Sequence, residues 1–189
     1  MKVGLFFGSF NPIHIGHLII ANSICEQAKL DEVWFVVSPL NPFKGQGDMA
    51  PANLRLSWVE QSVIDNPKLK ASGIELDLPI PSYTYQTLDF LKSDEHTYHL
   101  IMGSDTFLSL PKWKNAADFI YSYPIEIYQR PHSEIDDMNA FPLATLHDLP
   151  ELEISATRLR NKCKAGNSIQ YYVRDVIREE VKSFYSASR

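Results

Sequence analysis

The residues with the clearest chemical potential lie in one short segment, 8–17, which reads GSFNPIHIGH. Two histidines, His14 and His17, stand three positions apart in it, and two glycines, Gly8 and Gly16, accompany them. Imidazole groups can donate hydrogen bonds to phosphate oxygens and can gain a proton where negative charge develops. Glycine lets the backbone turn tightly and approach a ligand closely. We therefore predict that this segment binds phosphate groups.

A metal ion is the competing ligand for this pair of histidines. No third side chain of the kind that metals prefer stands near His14 and His17 in the sequence. A single histidine is more often structural than functional, but two histidines combined with two glycines favour phosphate. We predict no metal site built from protein side chains.

A second segment, 154–160, reads ISATRLR and has the same character. Ser155 is a good residue for the start of a helix, and helix capping alone could explain its presence. Hydroxyl groups at Ser155 and Thr157, the free amides of a first helical turn and the guanidinium of Arg160 would together bind an anion. Arg158 is interpreted as a solvent-exposed helix residue. Two such segments in one chain predict a polyphosphate held between two helix starts.

The elements that must position these segments follow from hydrophobic periodicity. The apolar run 2–7 predicts a buried strand that ends at Gly8, and a helical stripe from His17 leads to a second apolar strand at 32–38. Such a βαβ unit places its two strands in parallel. Further predicted elements are helices around 54–64 and 85–91, and strands near 69–76, 98–102 and 125–128. This alternation predicts an α/β fold with a doubly wound, parallel, Rossmann-like sheet.

The last part of the chain is predicted to be helical. One helix should run from Ser155 to near Gly166, and another should follow it. The apolar stripe of that final helix comprises Ile169, Val173, Ile177 and Val181. No linker is long enough to separate domains, so we expect a single domain, 1–189, whose helical C-terminal part covers about 155–185.

Composition excludes several classes of function. The chain has 189 residues and a formal net charge of −5, which disfavours binding to nucleic acid over a broad face. No apolar run reaches the roughly 18 residues of a membrane span, and no signal-peptide pattern follows the start. Cys25 and Cys163 are isolated and are expected to be free thiols. We expect a cytoplasmic, soluble protein that binds a small phosphorylated ligand, and the sequence leaves open whether it forms a homo-oligomer.

The two segments also carry a resemblance. Segment 8–17 resembles the GxFxPxHxGH signature of the nucleotidyltransferase superfamily, and 154–160 resembles its partner motif ISxTxxR. Additional matches are PSYT at 81–84, TL at 87–88, MGSD at 102–105, LPKW at 110–113 and QRP at 129–131. In this order they are similar to the bacterial nicotinate mononucleotide adenylyltransferase family, and the similarity runs from about Val3 to Tyr185.

The resemblance implies that ATP and nicotinate mononucleotide react to give nicotinate adenine dinucleotide and pyrophosphate, with Mg²⁺ held mainly by phosphates and water. Its catalytic residues would be His14, His17 and Arg160. The ATP site would comprise Gly8, Ser9, Phe10, His14, His17, Gly103, Asp105, Ile154, Ser155, Thr157 and Arg160. The mononucleotide site would comprise Lys44, Tyr83, Thr84, Trp113 and Arg130. For Asp105, capping of the following helix is the alternative explanation.

Three other functions remain open from the sequence. A phosphopantetheine, cytidylyl or nicotinamide-mononucleotide transferase would share the core and the histidine segment. Residues 14–17 also spell the HIGH signature of class I aminoacyl-tRNA synthetases, but the chain lacks a KMSKS motif. A non-catalytic nucleotide-binding module is the third possibility, although it would not need both histidines together with Arg160.

Overall fold

The structure, a computed structural model, describes residues 1–39, 48–92 and 95–187. In these ranges the strands are β1 (Lys2–Gly8), β2 (Glu32–Val37), β3 (Leu69–Ser72), β4 (Thr97–Gly103), β5 (Ile125–Tyr128) and β6 (Ala144–His147). They form one sheet in the order β3-β2-β1-β4-β5-β6, and every neighbouring pair is parallel. The chain builds one half of the sheet outward from β1 and then the other half from β4. The predicted doubly wound α/β fold is therefore confirmed.

Helices cover both faces of the sheet. They are α1 (Ile15–Gln27), α2 (Ala52–Val63), α3 (Thr84–Phe90), α4 (Ser104–Ser109), α5 (Ala117–Ile120), α6 (Ala156–Lys164) and α7 (Asp175–Ala187). Successive residues of a strand point to opposite faces of the sheet, and each face has its own buried hydrophobic cluster. Phe35 belongs to one cluster and Val36 to the other. Near-continuous apolar strands such as β2 are typical of a parallel sheet that is covered on both sides.

Strand β6 was not predicted from the sequence, because it is short and half of its residues are polar. Its attachment depends on a buried polar cluster as well as on main-chain pairing with β5. Glu126 of β5 accepts hydrogen bonds from His99 on β4, at 2.7 Å, and from His147 on β6, at 2.6 Å. Burial alone would raise the pKa of Glu126, but these two bonds outweigh burial and lower it. A charged Glu126 thus links three adjacent strands.

Two predicted boundaries were wrong. The strand predicted at 69–76 ends at Ser72, and a short 3-10 helix, Ile74–Leu76, follows it. The final helix begins at Asp175, so Ile169 and Val173 are buried before it rather than on its stripe. Tyr171 explains this difference, because its φ of 66° lies in the left-handed region, which a right-handed helix cannot include.

The carboxyl edge of the sheet collects the elements that carry the chemical segments. β1 ends at Gly8 and leads through a turn into α1, while β4 ends at Gly103 and leads directly into α4. In open α/β sheets, ligands bind at this edge where the strand order reverses, here between β1 and β4. Within 1–39, 48–92 and 95–187, no helix has the length and apolar character that crossing a membrane requires.

Candidate active site

A pocket of about 560 Å³ opens at the carboxyl edge of the sheet. Its lining includes Gly8, Ser9, Phe10, His14 and His17 from the first chemical segment. It also includes Ile154, Ser155, Thr157 and Arg160 from the second. Tyr128 and Arg130, which lie at and beyond the end of β5, complete one wall. The structure thus brings the two predicted anion-binding segments into a single cavity.

The turn after β1 has a shape that depends on Gly8 and Phe10. Phe10 adopts a φ of 43°, in the left-handed region, and its ring folds back over Gly8. A Cβ atom at Gly8 would lie only 2.7 Å from Cζ of Phe10, so no larger residue fits there without displacing the ring. The same ring meets the imidazole of His17 edge to face, with centroids 5.1 Å apart. Phe10 therefore helps to fix the orientation of His17.

The two histidine rings stack on each other with centroids 3.7 Å apart. The backbone N–H of His14 donates a hydrogen bond to Nδ1 of His17 at 3.3 Å. Because Nδ1 accepts this bond, the proton of a neutral His17 ring must reside on Nε2. Gly16 permits the close packing, since a Cβ there would lie 3.1 Å from Nδ1 of His14. Local structure therefore selects a His17 tautomer whose Nε2 is a donor.

His14 is held in its neutral form. Burial, aided by the positive charge of Arg130, lowers the pKa of His14 from its usual 6.5 to about 4. The residue is 5% exposed, and its side-chain Nδ1 has no hydrogen-bond partner within the described residues. At neutral pH, His14 therefore contributes a neutral ring to the cavity.

This lowered pKa predicts a pH dependence of stability. In the unfolded chain His14 takes up a proton below about pH 6.5, whereas in the folded protein it does so only near pH 4. The unfolded state thus binds more protons between these values, so the free energy of unfolding should fall as pH falls from 6.5 to 4. The full contribution is about 3 kcal/mol.

Urea denaturation at pH 7, 6 and 5 measures this effect. The variant His14→Gln has no titrating ring and should lose less stability with acid than the wild type. His132→Gln, at an exposed position, is the matched control and should follow the wild type. Identical pH slopes for wild type and His14→Gln would contradict the assigned protonation of His14.

Arg160 reaches back from α6 to the turn after β1. Its Nη1 donates to the backbone oxygen of Asn11 at 2.9 Å, and its Nη2 donates to Oγ1 of Thr157 at 3.1 Å. Ser155 caps α6 by accepting from the backbone N–H of Arg158 at 3.3 Å, and it also lines the pocket. The side chain of Arg158 is exposed and does not line the pocket. The two arginines therefore face different surroundings, as the sequence predicted.

Asn11 is a structural residue of the site that sequence reasoning missed, because position 11 is variable in the motif. Its Oδ1 accepts from the backbone N–H of Ala50, at 2.9 Å, and from the hydroxyl of Tyr185, at 2.5 Å. Its Nδ2 donates to the backbone oxygen of Asp48 at 2.9 Å. An aspartate would lack this donor. Asn11 thus joins the turn after β1 to α7 and to the chain at residues 48–50.

Arg130 was assigned to the mononucleotide, yet it lines the same pocket as the histidines. Its Nε lies 4.0 Å from Oδ2 of Asp105. Gly103 makes room for it, because a Cβ there would lie 2.8 Å from Cγ of Arg130. Gly103 and Asp105 do not line the pocket themselves, and Oδ1 of Asp105 accepts from the backbone N–H of Thr106 at 2.9 Å. This bond is not the cap considered as the alternative for Asp105, because the N-cap residue of α4 is Gly103, Asp105 lies in the first turn, and α4 has no side-chain capping hydrogen bond.

Three other residues predicted for the mononucleotide, Tyr83, Thr84 and Trp113, do not line this pocket. Tyr83 and Thr84 stand at the start of α3, where the backbone N–H of Tyr83 donates to Oε1 of Gln86 at 3.2 Å. Trp113 is half-buried, and its Nε1 donates to Oγ of Ser109 at 3.2 Å. Lys44 lies outside the described residues. Among the described residues, the structure thus groups those predicted for ATP phosphates, and of those predicted for the mononucleotide it adds Arg130 alone.

A buried carboxylate supports the start of α3. Glu75 is 3% exposed and accepts hydrogen bonds from Oγ of Ser82, at 3.0 Å, and from Oγ1 of Thr87, at 2.9 Å. Ser82 precedes Tyr83 and Thr84, and Thr87 lies one turn after them, so Glu75 fixes the backbone on both sides. Among the residues that the structure describes, no group of three or more His, Cys, Asp or Glu side chains could hold a metal ion.

Comparison with known proteins identifies relatives over nearly the whole length. The profile of the cytidylyltransferase-like family matches residues 5–162. A protein of Cytophaga hutchinsonii is 44% identical over 98% of this chain and 99% of its own length. A protein of Bacteroides fragilis is 40% identical over 95% of this chain and 90% of its own. Both are named "Probable nicotinate-nucleotide adenylyltransferase".

Solved structures agree on the fold. The nicotinic acid mononucleotide adenylyltransferase of Plasmodium falciparum, complexed with NaAD, superposes with a TM-score of 0.82 at 19% identity. The match covers 98% of this chain and 97% of the other. The same enzyme complexed with APC gives a TM-score of 0.80 at 18% identity, with the same coverage of both chains. At this level of identity, the superpositions establish the architecture alone.

Proposed function

Since the chain belongs to the cytidylyltransferase-like family, among relatives named nicotinate-nucleotide adenylyltransferases, we propose that it transfers AMP from ATP to nicotinate mononucleotide. The products are nicotinate adenine dinucleotide and pyrophosphate, and the reaction is a step in NAD biosynthesis. One structural observation supports this reaction most directly. The two anion-binding segments, 8–17 and 154–160, line one pocket, as an enzyme that handles a triphosphate requires.

The reaction requires little proton transfer by the protein. The 5′-phosphate of the mononucleotide is largely ionised at neutral pH, because the second pKa of a phosphate is near 6. No strong general base is therefore needed to activate it. The protein must align the attacking oxygen with the α-phosphorus of ATP and stabilise the charge that develops on the leaving pyrophosphate.

We assign these tasks to the side chains of the pocket. His17 would donate its Nε2 proton to a phosphate oxygen, and Arg160 would pair with the same chain of phosphates. Ser155 and Thr157 would add hydroxyl donors at the start of α6. His14 is neutral in the empty pocket, and a bound polyphosphate would oppose the effect of Arg130 and favour its protonation. Positive charge would then increase where the leaving group gains negative charge.

Mg²⁺ fits this pocket as a companion of ATP. The predicted phosphate-binding side chains offer N–H and O–H donors, which pair with phosphate oxygens rather than with a cation. Asp48 is the carboxylate on the lining, and it is engaged by Nζ of Lys164 at 2.6 Å. We propose that phosphates and water hold most of the coordination sphere, as Mg²⁺ prefers. The ion would supply charge neutralisation to the phosphates.

For the mononucleotide we propose contacts from Arg130 on the pocket lining and from residues that do not belong to that lining. Arg130 would connect the two substrates, because it already lies beside the predicted phosphate site. Trp113 would stack on the pyridinium ring, a cation–π arrangement, and Tyr83 and Thr84 would bind its carboxylate. Lys44 remains a proposed contact to the 5′-phosphate. The proposed setting is the cytoplasm, with these two small molecules as partners and without nucleic acid or membrane; homo-oligomerisation stays open.

Release of pyrophosphate tests the proposed function. The protein is incubated with ATP, Mg²⁺ and, in separate reactions, nicotinate mononucleotide, nicotinamide mononucleotide or phosphopantetheine. A further reaction replaces ATP with CTP and supplies an acceptor of cytidylyl transfer. Pyrophosphate and a product with the mass of nicotinate adenine dinucleotide should form with nicotinate mononucleotide. Pyrophosphate release with another acceptor and none with nicotinate mononucleotide would replace the proposal with a sister activity.

Arg160→Ala should weaken the use of ATP more than Arg158→Ala does. Arg160 lies in the pocket and is tied to the turn after β1, whereas the side chain of Arg158 is exposed outside it. Loss of a charged donor to a phosphate costs about 1.5–3 kcal/mol, or roughly a 10- to 100-fold loss in kcat/KM for ATP. The two alanine variants serve as mutual controls. Equal losses, or a larger loss at Arg158, would contradict the position assigned to the second segment.

A further inference from the structure

Arg55 of α2 is a buried cation that has no acidic partner in the part of the chain that the structure describes. Its side chain is fully inaccessible, at 0% exposure, and no Asp or Glu of the described residues forms an ion pair with it. Burial lowers the pKa of the guanidinium, although arginine still keeps its proton in proteins. A buried charge is costly unless hydrogen bonds satisfy it. The environment of Arg55 must therefore supply acceptors.

Backbone oxygens supply all of these acceptors. Nε donates to the carbonyl of Ala50 at 2.9 Å, and Nη2 donates to that of Pro39 at 3.0 Å. Nη1 donates to the carbonyl of Ser9 and to that of Ser38, the latter at 2.9 Å. The planar guanidinium carries donors in a fixed fork, so it holds all four carbonyl groups in one fixed arrangement.

These carbonyl groups belong to three stretches of chain that meet at the pocket. Ser9 lies in the turn after β1 and lines the cavity. Ser38 and Pro39 directly follow β2, and Ala50 directly precedes Pro51 at the start of α2. Pro39 and Ala50 thus stand on either side of the range 40–47, in which the proposed mononucleotide contact Lys44 falls.

We propose that Arg55 is a positioning residue for adenylyl transfer. By fixing Ser9 relative to Pro39 and Ala50, it holds the turn after β1 in register with the end of β2 and the start of α2. Arg55 does not line the pocket, so it acts through these backbone groups rather than through substrate. A shift of about 1 Å in such a framework can cost roughly 100-fold in rate, because the reacting atoms no longer align. This inference rests on the proposed function.

The variant Arg55→Lys separates geometry from charge. Lysine keeps the positive charge, but its three donors share one nitrogen and cannot reproduce the planar fork. We expect kcat, measured with both substrates saturating and well below the melting temperature, to fall at least about tenfold. Saturation excludes a mere loss of affinity, and a circular-dichroism melt confirms that the assayed protein is folded. Arg174→Lys is the matched control, since Arg174 pairs with Asp65 at the surface and should keep its kcat.

A second variant covers the case in which lysine prevents folding. Arg55→Gln removes the buried charge, retains two amide donors and should show the same loss of kcat. Arg55→Ala provides a rescue test, in which ethylguanidinium at millimolar concentration should restore part of the kcat and ethylammonium should not. A wild-type kcat in a folded Arg55→Lys or Arg55→Gln protein would overturn the inference. Arg55 would then have only a structural role. Inactivity of the wild type itself would instead refute the proposed function.

Discussion

His17→Ala should reduce kcat/KM by at least about 100-fold while leaving the fold intact, the scale expected when a donor to the transition state is lost. The physical reason is the fixed tautomer of His17. Its Nδ1 accepts from the backbone N–H of His14, so Nε2 carries the donating proton. Stacking against His14 and edge contact with Phe10 hold the ring in place before substrate arrives. A donor that needs no reorganisation stabilises developing charge most effectively.

Amide substitutions provide the matched controls for this prediction. The side-chain nitrogen of glutamine can occupy the place of Nε2 and donate, so His17→Gln should retain more activity than His17→Ala. The shorter His17→Asn can replace only the Nδ1 end of the ring and should resemble alanine. Steady-state kinetics with ATP and nicotinate mononucleotide measure all three variants. Wild-type turnover in a folded His17→Ala protein would remove His17 from the catalytic residues.

The second large effect concerns substrate choice: kcat/KM should favour nicotinate mononucleotide over its amide analogue by at least about 100-fold. Thr84 and Tyr85 begin α3, so their backbone N–H groups have no acceptor within the helix. No other residue of the described chain accepts from them. A carboxylate would satisfy these donors, whereas an amide would turn its own NH₂ donor toward them. Each unsatisfied buried group costs about 1–3 kcal/mol, and more where the lost partner was charged.

Two variants separate recognition of the carboxylate from recognition of the ring. Thr84→Val keeps the size of the side chain but removes its hydroxyl, so the preference for the acid should shrink. Trp113→Ala should reduce activity on both mononucleotides equally, because both rings are pyridinium and stack alike. Side-by-side kcat/KM values for the two substrates provide the measurement. Comparable values in the wild type would indicate a dual-specificity enzyme.

The fold and the site were predicted best from the sequence where the local residue pattern determines the structure. The apolar run that ends at Gly8 and the helix starts near His17 and Ser155 were all apparent from spacing, and they gave both halves of the pocket that we propose binds phosphate. Strand β6 was not apparent, because an edge strand can be held by main-chain bonds and by the buried contact between His147 and Glu126. His132 shows a finer case. It follows Arg130 and Pro131, and its φ of 63° places it in the left-handed region, which glycine adopts most readily.

Long-range contacts explain what the sequence could not predict. Nothing in the local pattern around Arg55 distinguishes it from other helix arginines, since its acceptors come from residues up to 46 positions away. Arg130 was assigned to the mononucleotide from its motif, but its proximity to His14 depends on the adjacency of β5 and β4, and of β4 and β1. The roles of Lys44, Tyr83 and Thr84 depend on ligand geometry and remain proposals.

The hydrogen bond between Asn11 and Tyr185 sets an order of events during synthesis. It spans 174 positions, so the ribosome makes the turn after β1, which is predicted to bind phosphate, long before its hydroxyl partner. Until α7 emerges and docks, Oδ1 of Asn11 lacks this donor and the turn lacks one of its anchors. A nascent or prematurely terminated chain should therefore form much of the sheet while remaining unable to bind ATP. We therefore expect ATP binding to require α7 to be made and docked.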